Sequence, residues 1–375
     1  MRREKHQPQP RVLFTYWGRR GLSRFALDVA KAALAKPGLA ASVSVSRQNE
    51  SFAAFAELGE AVVPVDTFSS NIGALSQGWR IPIIRRQLQR HIAEHRPAAV
   101  IELMPHVWSS FVAPAFKAAD VRYATIVHDA ISHPGDHRSS SIERLTRRTL
   151  RQADLILTLS SAVAGRIAAA EQGPHGRIAT LFHPDLDFGG RRTLEPPRPG
   201  AQLRLAFFGR IMRYKGLPLF LDMVEMLRAD GLAVEVGVFG EGKLGASAAR
   251  LEAMGAEVVN RWLTEAEIAE RLSRFHAVVL SHTEASQSGV AAAAFGAGLP
   301  VIATPVGGII EQVQDGVTGV LAARVDAAAL AEAARRLALD PALYRIVCRN
   351  IAALKGDRSM AGFVDRCVDL ALQAG

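Results

Sequence analysis

Short apolar segments alternate with longer, helix-like segments along almost the whole chain. In the first half the apolar segments read RVLFTYW, ASVSVS, AVVPV, AAVIELM, RYATIVH, LILTLS and IATLFH, and in the second half LRLAFFG, AVEVGVFG, AEVV, AVVLS, PVIAT and GVL. Few tight hairpin turns separate them, so consecutive strands need helical crossovers and run parallel. The alternation therefore predicts an α/β fold in which helices cover parallel sheets.

The length of the chain predicts two domains, because 375 residues exceed what one core of ordinary size holds. The segment GGRRTLEPPRPGAQ is rich in Pro, Gly and Arg, lacks periodicity and is typical of an interdomain linker. We therefore expect a first domain at 1–188, a linker at 189–202, a second domain at 203–356 and a closing amphipathic helix within 357–375. The two α/β domains are expected to face each other across a cleft.

Composition and targeting features favour a globular protein of the cytoplasm. Apolar residues make up 49% of the chain and charged residues 22%, which excludes a disordered chain. The two cysteines, Cys348 and Cys367, suggest no disulfide framework and fit a reducing compartment. The N-terminal apolar run VLFTYW is too short for a signal peptide. The uncharged stretch 285–310 contains Pro300 and Pro305, so we expect a buried helix, turn and strand there rather than a membrane span.

The segment VFGEGKLG places Gly240, Gly242 and Gly245 at G-x-G-x-x-G spacing after a predicted strand. Because dinucleotide-binding loops have this spacing, an NAD(P)-dependent oxidoreductase is one alternative for the function. Two features weaken that alternative. The loop follows the second strand of its domain rather than the first, and the acidic residue expected about 20 positions after the start of the motif falls at Asn260.

A cationic loop follows the strand LRLAFFG, which ends at Gly209. The loop carries Arg210, Arg213 and Lys215 and leads into a helix near Leu217. Ligands of doubly wound folds bind at the carboxyl ends of the strands, and cations beside a helix N-terminus suit a phosphate or pyrophosphate. The alternative is a solvated basic loop.

A second loop follows the strand AVVLS and carries Glu284 before a helix of small residues. Ser288 and Gly289 stand at the start of this helix, where free backbone N–H groups bind anions. The carboxylate of Glu284 suits sugar hydroxyls or a developing cation better than a phosphate. The alternative is an ordinary helix cap formed by Ser286 or Ser288.

The segments FFGRIMRYKG, VFGEG, EASQSGV and GLPVIATPVGGIIEQVQDGVTGVL resemble, in this order and over about 120 residues, the donor domain of retaining GT-B glycosyltransferases of the group 1, family-four-like type. VHDAISHPGD and ADLILTLSSAV resemble acceptor-domain segments of the same family. The resemblance implies two Rossmann-like domains and an enzyme of class EC 2.4 that transfers a hexose from a nucleoside-diphosphate sugar to a glycan or lipid-linked glycan, with retention of configuration. We predict no required metal, no cofactor besides the donor substrate and no nucleic-acid partner.

The resemblance also implies roles for individual residues. Arg210 and Lys215 would clamp the pyrophosphate, and Glu284 and His128 would contact the transferred sugar; these four are the candidate catalytic residues. The implied donor-binding positions are Gly209, Arg210, Lys215, Gly240, Glu241, Ser288, Gly289 and Val290. On the acceptor side, the loop after the first strand offers Gly18, Arg19, Arg20 and Gly21, together with Arg24, to an acceptor phosphate; a solvated basic loop is the alternative.

Many members of the family carry a second glutamate that holds the ribose. Here the two positions that could correspond are Ala292 and Ala293. This departure leaves the identity of the nucleotide open and keeps a non-catalytic sugar-nucleotide-binding protein as another alternative.

The segment HDAISHPGDH gathers titratable residues that would also suit a metal ion. They are His128, Asp129, His133, Asp136 and His137. Pro134 and Gly135 break any shared helix face, so we favour a polar sugar contact by His128 over a metal site.

Positive charge is concentrated in the first half of the chain. Residues 1–200 contain 27 Lys and Arg against 17 Asp and Glu, whereas residues 201–375 contain 18 against 19. A capping box at Ser140 and Glu143 predicts a helix with arginines on one face. These arginines are Arg144, Arg147, Arg148 and Arg151. A second segment, WRIPIIRRQLQRHI, places Arg86 and Arg90 beside an apolar stripe of Ile84, Leu88 and Ile92.

Each of these helices alone is explained by core packing with solvated arginines. Together with the charge of the first half, they lead us to hypothesise a peripheral protein that rests on an anionic inner membrane surface near a lipid-linked acceptor.

Overall fold

The computed structural model describes residues 9–70, 73–129, 140–170, 177–189, 195–197 and 202–373. The described residues form two compact units. The first unit contains residues 9–129, 140–181 and 360–373, and the second contains the described residues from 182 to 359. Each unit is described on its own below.

Every apolar segment that was predicted as a strand contains one. The strands are β1 (Arg11–Tyr16), β2 (Ala40–Ser46), β3 (Val62–Val65), β4 (Ala99–Glu102), β5 (Arg122–Val127), β6 (Leu155–Thr158), β7 (Ile178–Thr180), β8 (Leu203–Phe208), β9 (Val234–Phe239), β10 (Glu257–Val259), β11 (Ala277–Leu280), β12 (Val301–Ala303) and β13 (Gly319–Leu321).

Helices separate most of these strands. They are α1 (Ser23–Ala35), α2 (Phe52–Ala56), α3 (Gly73–Ser76), α4 (Ile81–His95), α5 (Ser109–Val112), α6 (Pro114–Ala118), α7 (Ser140–Gln152), α8 (Ser161–Ala169), α9 (Leu217–Ala229), α10 (Ser247–Ala253), α11 (Glu265–Leu272), α12 (Gly289–Gly296), α13 (Ile309–Gln312), α14 (Ala327–Leu339), α15 (Pro341–Ala353) and α16 (Met360–Gln373). Short 3₁₀ turns lie at Gly59–Ala61, Gly78–Arg80 and Arg213–Lys215.

Both sheets are parallel, as the alternation of elements predicted. The first unit has a seven-stranded sheet in the order β3-β2-β1-β4-β5-β6-β7, and the second a six-stranded sheet in the order β10-β9-β8-β11-β12-β13. In each sheet the order reverses beside the first strand of the unit, between β1 and β4 and between β8 and β11. Ligands of doubly wound sheets bind at the carboxyl ends of the strands at such reversals. The fold therefore places the loops after β1, β4, β8 and β11 at the two candidate sites.

Helices α4, α5 and α7 pack on the same core of the first unit. Ile84, Leu88 and Ile92 of α4 lie in one hydrophobic cluster with Val112 of α5 and Leu150 of α7. The apolar stripe predicted for α4 is thus buried. The exposed sides of these helices form one surface layer of the unit.

The C-terminal helix α16 belongs to the first unit. Its Phe363 is fully buried and meets Phe25 of α1 edge-on, with the ring centroids 5.5 Å apart. Lys36 of α1 lies 2.5 Å from the Asp365 carboxylate, and Arg122 donates to the carbonyl of Leu372. The chain therefore returns to the first unit after the second is complete, because the buried face of α16 fits the core there.

Residues 182–188, which the sequence analysis placed in the first domain, group with the second unit in the structure. Their backbone runs along α12, where the Leu186 N–H donates to the carbonyl of Ala292 over 3.1 Å. The Asp185 carboxylate pairs with Arg358 at 3.1 Å, just before α16 begins. Most of the proposed linker, residues 190–194 and 198–201, lies outside the described residues.

The uncharged stretch 285–310 forms α12, a turn and strand β12, as expected. Among the described residues, no helix combines the length and the apolar character needed to cross a bilayer. Within the same residues no group of His, Cys, Asp and Glu is arranged to hold a metal ion. His133, Asp136 and His137, which the metal alternative required, lie outside the described residues, and so does the side chain of Ser140 in the predicted capping box.

Candidate functional site

The loop after β8 is tied to the loop after β11 at the reversal of the second sheet. The Ser281 hydroxyl donates to the carbonyls of Lys215 and Gly216 over 3.0 and 2.9 Å. The Thr283 N–H donates to the Tyr214 carbonyl over 2.7 Å. Gly216 has a φ of +67°, and a Cβ there would overlap the Ser281 carbonyl oxygen. Glycine is required at this position, since both the left-handed backbone and the close approach exclude a side chain.

Lys215 and Arg210 place two cations beside Gly209. A Cβ on Gly209 would lie 3.0 Å from the Lys215 Nζ and 2.8 Å from a methyl group of Val290. Three of the predicted donor-site residues are thus in direct proximity. Desolvation and, second, repulsion from Arg210 lower the pKa of Lys215 to about 8. The pair is electrostatically unfavourable as it stands, and an anion between the two groups would relieve it.

The glycines at the G-x-G-x-x-G spacing pack two loops together. A Cβ on Gly240 would overlap the Gly209 carbonyl, and one on Gly242 would overlap the carbonyl of Ile211. The Ile211 N–H donates to the Glu241 carbonyl over 2.8 Å. Gly240 and Glu241 therefore lie beside the cationic loop, which accounts for two of the three glycines without a dinucleotide.

Asn260 has a structural role at the edge of this loop. Its side-chain oxygen accepts a hydrogen bond from the Gly242 N–H over 3.0 Å. The residue that occupies the acidic position of a dinucleotide site therefore braces the glycine loop. The missing acid is visible in the sequence, whereas this contact is not.

Helix α12 begins at Gly289, and Ser288 is its N-cap. The Ser288 hydroxyl accepts from the Ala291 N–H over 3.3 Å. The backbone N–H of Ser288 is already taken, since it donates to the Gln312 Oε1 over 2.6 Å. The N–H groups of Gly289 and Val290 belong to the first turn, which has no intrahelical acceptor, so these two remain suited to bind an anion.

Gln312 was not found by sequence reasoning. Its amide both accepts from the Ser288 N–H and donates to the Ser288 carbonyl over 3.3 Å, which fixes the start of α12. Two hydrogen bonds from one side chain to one residue 24 positions away leave no signal in a single sequence.

Glu284 and Gln287 stand on the loop between β11 and α12. Both are half-buried. Within the described part of the chain, the buried Oε1 of Gln287 has no hydrogen-bond partner. Because an unsatisfied buried acceptor is costly, a ligand hydroxyl at this loop would be stabilising.

The positions of the missing second glutamate lie inside α12. Ala292 and Ala293 are each only 1% exposed. The Ala292 carbonyl carries the hydrogen bond from Leu186. The structure therefore has small, buried side chains where many family members have a carboxylate.

His128 lies in the first unit, directly after β5, and is buried. Its Nε2 donates to the Leu103 carbonyl over 2.9 Å, and its ring meets Phe25 edge-on with centroids 5.3 Å apart. Burial lowers the pKa of His128, so the imidazole is neutral, and the carbonyl acceptor assigns the proton to Nε2. The Nδ1 is then an acceptor, and among the described residues it has no partner.

The loop after β1 holds the predicted acceptor-side residues. The Gly18 carbonyl accepts from Asn49 over 2.7 Å, and Arg19 stacks on Phe68, with its guanidinium carbon 5.6 Å from the ring centroid. Gly21, with a φ of +83°, is exposed at the end of this loop. Arg20 is mostly exposed and lies 3.7 Å from the carboxylate of Glu50.

Arg24 pairs with Asp28 at 2.6 Å within α1. Of the arginines proposed for an acceptor phosphate, this one is therefore already paired with a carboxylate.

A buried carboxylate shapes the neighbouring loop after β4. Glu102 accepts hydrogen bonds from Tyr123 over 2.5 Å, from Thr125 over 2.9 Å and also from Ser109. Burial raises the pKa of Glu102, while these donors favour its charged form. The loop presents His106, which stacks on Phe68 with centroids 5.1 Å apart. Sequence reasoning missed both residues, although a glutamate inside the apolar run AAVIELM was a visible signal.

Comparison with known proteins identifies the family. Residues 202–340 match the family model described as "Glycosyl transferases group 1", and residues 20–181 match the "Glycosyl transferase 4-like domain". A curated D-inositol 3-phosphate glycosyltransferase of Acidothermus cellulolyticus is 28% identical over 259 residues, which cover 63% of this chain and 55% of the relative. A D-inositol 3-phosphate glycosyltransferase 1 of Catenulispora acidiphila is 28% identical over 229 residues, with 58% and 53% covered. The chain thus spans about half the length of the curated relatives it matches.

Solved structures show the same fold. Anabaena Alr3699/HepE in complex with UDP and glucose has a TM-score of 0.70 at 17% identity, covering 98% of this chain and 100% of the other. WaaG, a glycosyltransferase involved in lipopolysaccharide biosynthesis, has a TM-score of 0.63 at 16% identity, covering 97% and 100%. Both confirm the predicted Rossmann-like architecture of the two units. With two family models that together match most of its length, the chain belongs to the group 1 glycosyltransferases and has the GT-B fold.

Proposed function

We propose that the protein is a retaining glycosyltransferase that moves a hexose from a nucleoside-diphosphate sugar to a hydroxyl of a glycan or lipid-linked glycan. The observation that carries the proposal is the pair of cations at the reversal of the second sheet. The Lys215 ammonium lies beside Gly209, as does Val290, and Arg210 is close enough to lower the pKa of Lys215. Family membership and the UDP bound in Anabaena Alr3699/HepE support a nucleotide-sugar donor.

The donor-site residues would stabilise the leaving diphosphate. Negative charge builds on it as the glycosidic bond breaks, and Lys215, Arg210 and the N–H groups of Gly289 and Val290 offer donors to that charge. A diphosphate beside Lys215 would raise the pKa of its ammonium and so hold it protonated. One such preorganised donor is often worth about 3–4 kcal/mol in the transition state.

The sugar would be held by neutral and acidic acceptors. Glu284 orients its hydroxyls, and the unsatisfied Oε1 of Gln287 accepts a further hydrogen bond. The Nδ1 of His128 accepts one from a substrate hydroxyl, since its neutral tautomer is fixed by Leu103. None of these groups is assigned as a covalent nucleophile.

The acceptor and the location of the protein are proposals of the same kind. Arg19, Arg20 and Gly21 would meet the acceptor on the first unit, and the curated relatives are named for a phosphorylated one, inositol 3-phosphate. The arginine face of α7 supports a peripheral position on the cytoplasmic side of an anionic membrane. No metal, cofactor or nucleic acid has a part in this proposal.

A thermal-shift screen of UDP, GDP, ADP and their sugars against NAD and NADP tests the proposal. A ligand at 100 times its Kd stabilises by about 2.7 kcal/mol. For units of this size that corresponds to a shift of several degrees, at about 2–4 °C per kcal/mol. We expect at least one nucleoside diphosphate to raise the Tm and neither dinucleotide to do so. Stabilisation by NAD or NADP alone would refute the transferase and favour an oxidoreductase.

The buried Ala292 and Ala293 favour one second candidate, a sugar-nucleotide-binding protein without turnover. The two candidates differ in a single observable. If the nucleotide-sugar that stabilises the protein is incubated with an acceptor, a transferase releases the nucleoside diphosphate in proportion to acceptor, whereas a binding protein returns the donor intact.

A further inference from the structure

Three large apolar side chains are exposed at four-residue intervals before and at the start of α4. Leu75 is 88% exposed, Trp79 63% and Ile83 55%. The segment runs from α3 through the 3₁₀ turn Gly78–Arg80 into α4. The 3₁₀ turn contacts both α3 and α4, so the three exposed side chains are neighbours on one short stretch of surface. We call Leu75, Trp79 and Ile83 the apolar ridge.

The segment that carries the apolar ridge has positive side chains and no carboxylate. Arg80 stacks on Trp79, with its guanidinium carbon 5.3 Å from the ring centroid, and donates to the Thr67 carbonyl over 2.6 Å. Further along α4, Arg86 and Arg90 are exposed. The sequence has no Asp or Glu from residue 67 to residue 93. The ridge therefore adjoins a basic surface that no acidic side chain of its own segment neutralises.

The ridge and the arginine face of α7 belong to the same layer. Helix α5 packs against both α4 and α7. From α5, Phe111 is 37% exposed and lies under the guanidinium of Arg148, 5.4 Å from its ring centroid. A surface cavity of about 490 Å³ opens among the α7 arginines. Its described lining is Ser141, Arg144, Leu145, Arg147, Arg148 and Arg151.

We propose that the apolar ridge inserts into the interfacial region of an anionic bilayer while the arginines of α4 and α7 bind lipid phosphates. The inference rests on the membrane-surface part of the proposed function and adds which residues enter the lipid. Tryptophan beside arginine is typical of membrane interfaces, where the ring is buried and the guanidinium stays at the headgroups. A second copy of the chain is a poorer occupant, because docking through this face would bring two sets of arginines together.

Trp79 can report the insertion directly. Trp17 and Trp108 are each only 3% exposed, and Trp262 is the other exposed tryptophan of the described residues, at 58%. In a Trp262→Phe background, we expect vesicles of phosphatidylglycerol and phosphatidylcholine to shift the emission of Trp79 to shorter wavelength. Vesicles of phosphatidylcholine alone should leave it unchanged at low protein concentration.

A ridge variant tests whether insertion contributes to binding. Leu75→Ser combined with Ile83→Ser should weaken sedimentation with the mixed vesicles by at least about tenfold, since each side chain loses its burial in lipid. The matched control is Leu339→Ser combined with Ile346→Ser, which removes two apolar side chains that are 68% and 45% exposed on the second unit. The control should bind vesicles like the parent, and the ridge variant should retain weak binding that added salt abolishes.

Three outcomes would overturn the proposal. They are unshifted emission of Trp79 while the protein sediments with mixed vesicles, equal vesicle binding by the ridge variant and the control, and no binding of the parent to mixed vesicles in low salt. Concentration-dependent self-association that the ridge variant abolishes would instead assign the ridge to a second copy. UDP binding, measured on the same variants, is expected to be unchanged. Failure of vesicle binding with intact nucleotide binding refutes the ridge and the proposed membrane location but leaves the proposed transferase activity standing. Failure to bind any nucleoside diphosphate refutes the transferase itself.

Discussion

At the scale of single residues, Lys215 has the most informative environment. Its ammonium lies close to Gly209, and desolvation together with Arg210 lowers its pKa to about 8. The unfolded chain binds this proton more tightly than the folded protein does, so the charged form of Lys215 lowers the free energy of unfolding at neutral pH. This destabilisation disappears as the pH rises from about 8 towards 10.5, because the folded protein then releases the proton. An unfavourable charge that has no carboxylate partner among the described residues indicates a site suited to an anion.

The pH dependence of nucleotide binding should follow from this pKa. We expect diphosphate affinity to be constant below pH 8 and to fall above it, by up to about tenfold per pH unit, because the anion binds the protonated amine. Calorimetry in buffers of different ionisation enthalpy should show proton uptake near pH 8. A Lys215→Arg variant that binds should lack both effects, and identical pH profiles for it and the parent would contradict the assignment.

Removing the cations should separate the diphosphate contacts from the sugar contacts. We expect Arg210→Ala and Lys215→Ala each to lower kcat at least about tenfold and to weaken binding of the bare nucleotide, since both serve the diphosphate. Glu284→Ala should lower turnover and leave nucleotide binding nearly intact. Arg213→Ala, an exposed cation of the same loop, is the control for loss of charge alone. Loss of nucleotide binding in Glu284→Ala would show that Glu284 does not act on the sugar.

At the scale of elements, the proposed donor site is made by loops that pack backbone against backbone. The loop after β8 contacts the loop after β9 through Gly240 and Gly242, and the loop after β11 through Gly216. Such contacts need glycine wherever a side chain would enter the neighbouring carbonyl. Packing between loops therefore explains two of the three glycines whose spacing suggested a dinucleotide.

Gly216→Ala should disrupt this arrangement. The new methyl group would overlap the Ser281 carbonyl in addition to straining a φ of +67°. Gly231→Ala is the matched control, because Gly231 has a similar φ of +85° but nothing within 4 Å of the added carbon. We expect the control to lose about 1 kcal/mol of stability from strain alone and Gly216→Ala to lose more, together with nucleotide affinity. Equal losses measured by chemical denaturation would show that the contact with Ser281 is unimportant.

The sequence predicted the elements better than their contacts. Strands such as β8 and β11 are continuous apolar runs in a parallel sheet, so each could be predicted from its own sequence without knowing which strand it pairs with. The cationic residues were found because they directly follow those strands. Three sets of hydrogen bonds were not predicted, because they join residues far apart in the chain. They are those of Gln312 with Ser288, of Glu102 with Tyr123 and Thr125, and of Asn260 with Gly242. Such contacts depend on how the elements pack, which periodicity does not encode.

At the scale of the whole molecule, the chain passes from the first unit to the second and back. Helix α16 fills the core of the first unit although it is the last element of the described chain. Where the chain enters and leaves the second unit, Asp185 pairs with Arg358 and Asp187 with Lys355 at 2.7 Å. The amphipathic pattern of α16 indicates that one face of the helix is buried, but it does not indicate which unit buries it. The fold class was predictable from the sequence, whereas this connection was not.

Phe363→Ala should weaken the first unit selectively. Phe363 is fully buried against Phe25, and truncation of a buried phenylalanine costs about 3–5 kcal/mol. We place nucleotide binding in the second unit, so it should persist under conditions in which the first unit is destabilised. Asp369→Ala, on the exposed side of α16, is the control. A loss of nucleotide binding parallel to the loss of stability would mean that the two units unfold as one.

The lowered pKa of Lys215 also makes this residue a candidate for selective covalent labelling. At pH 7 roughly one in ten of such amines carries a free lone pair, compared with well under one in a thousand for an ordinary lysine. An amine with that lone pair attacks acylating and carbonyl reagents, so the group proposed to bind the diphosphate is expected to act as a nucleophile whenever the diphosphate is absent. Covalent labelling of this lysine, and its suppression by nucleotide, would mark occupancy of the donor site without any knowledge of the sugar or the acceptor.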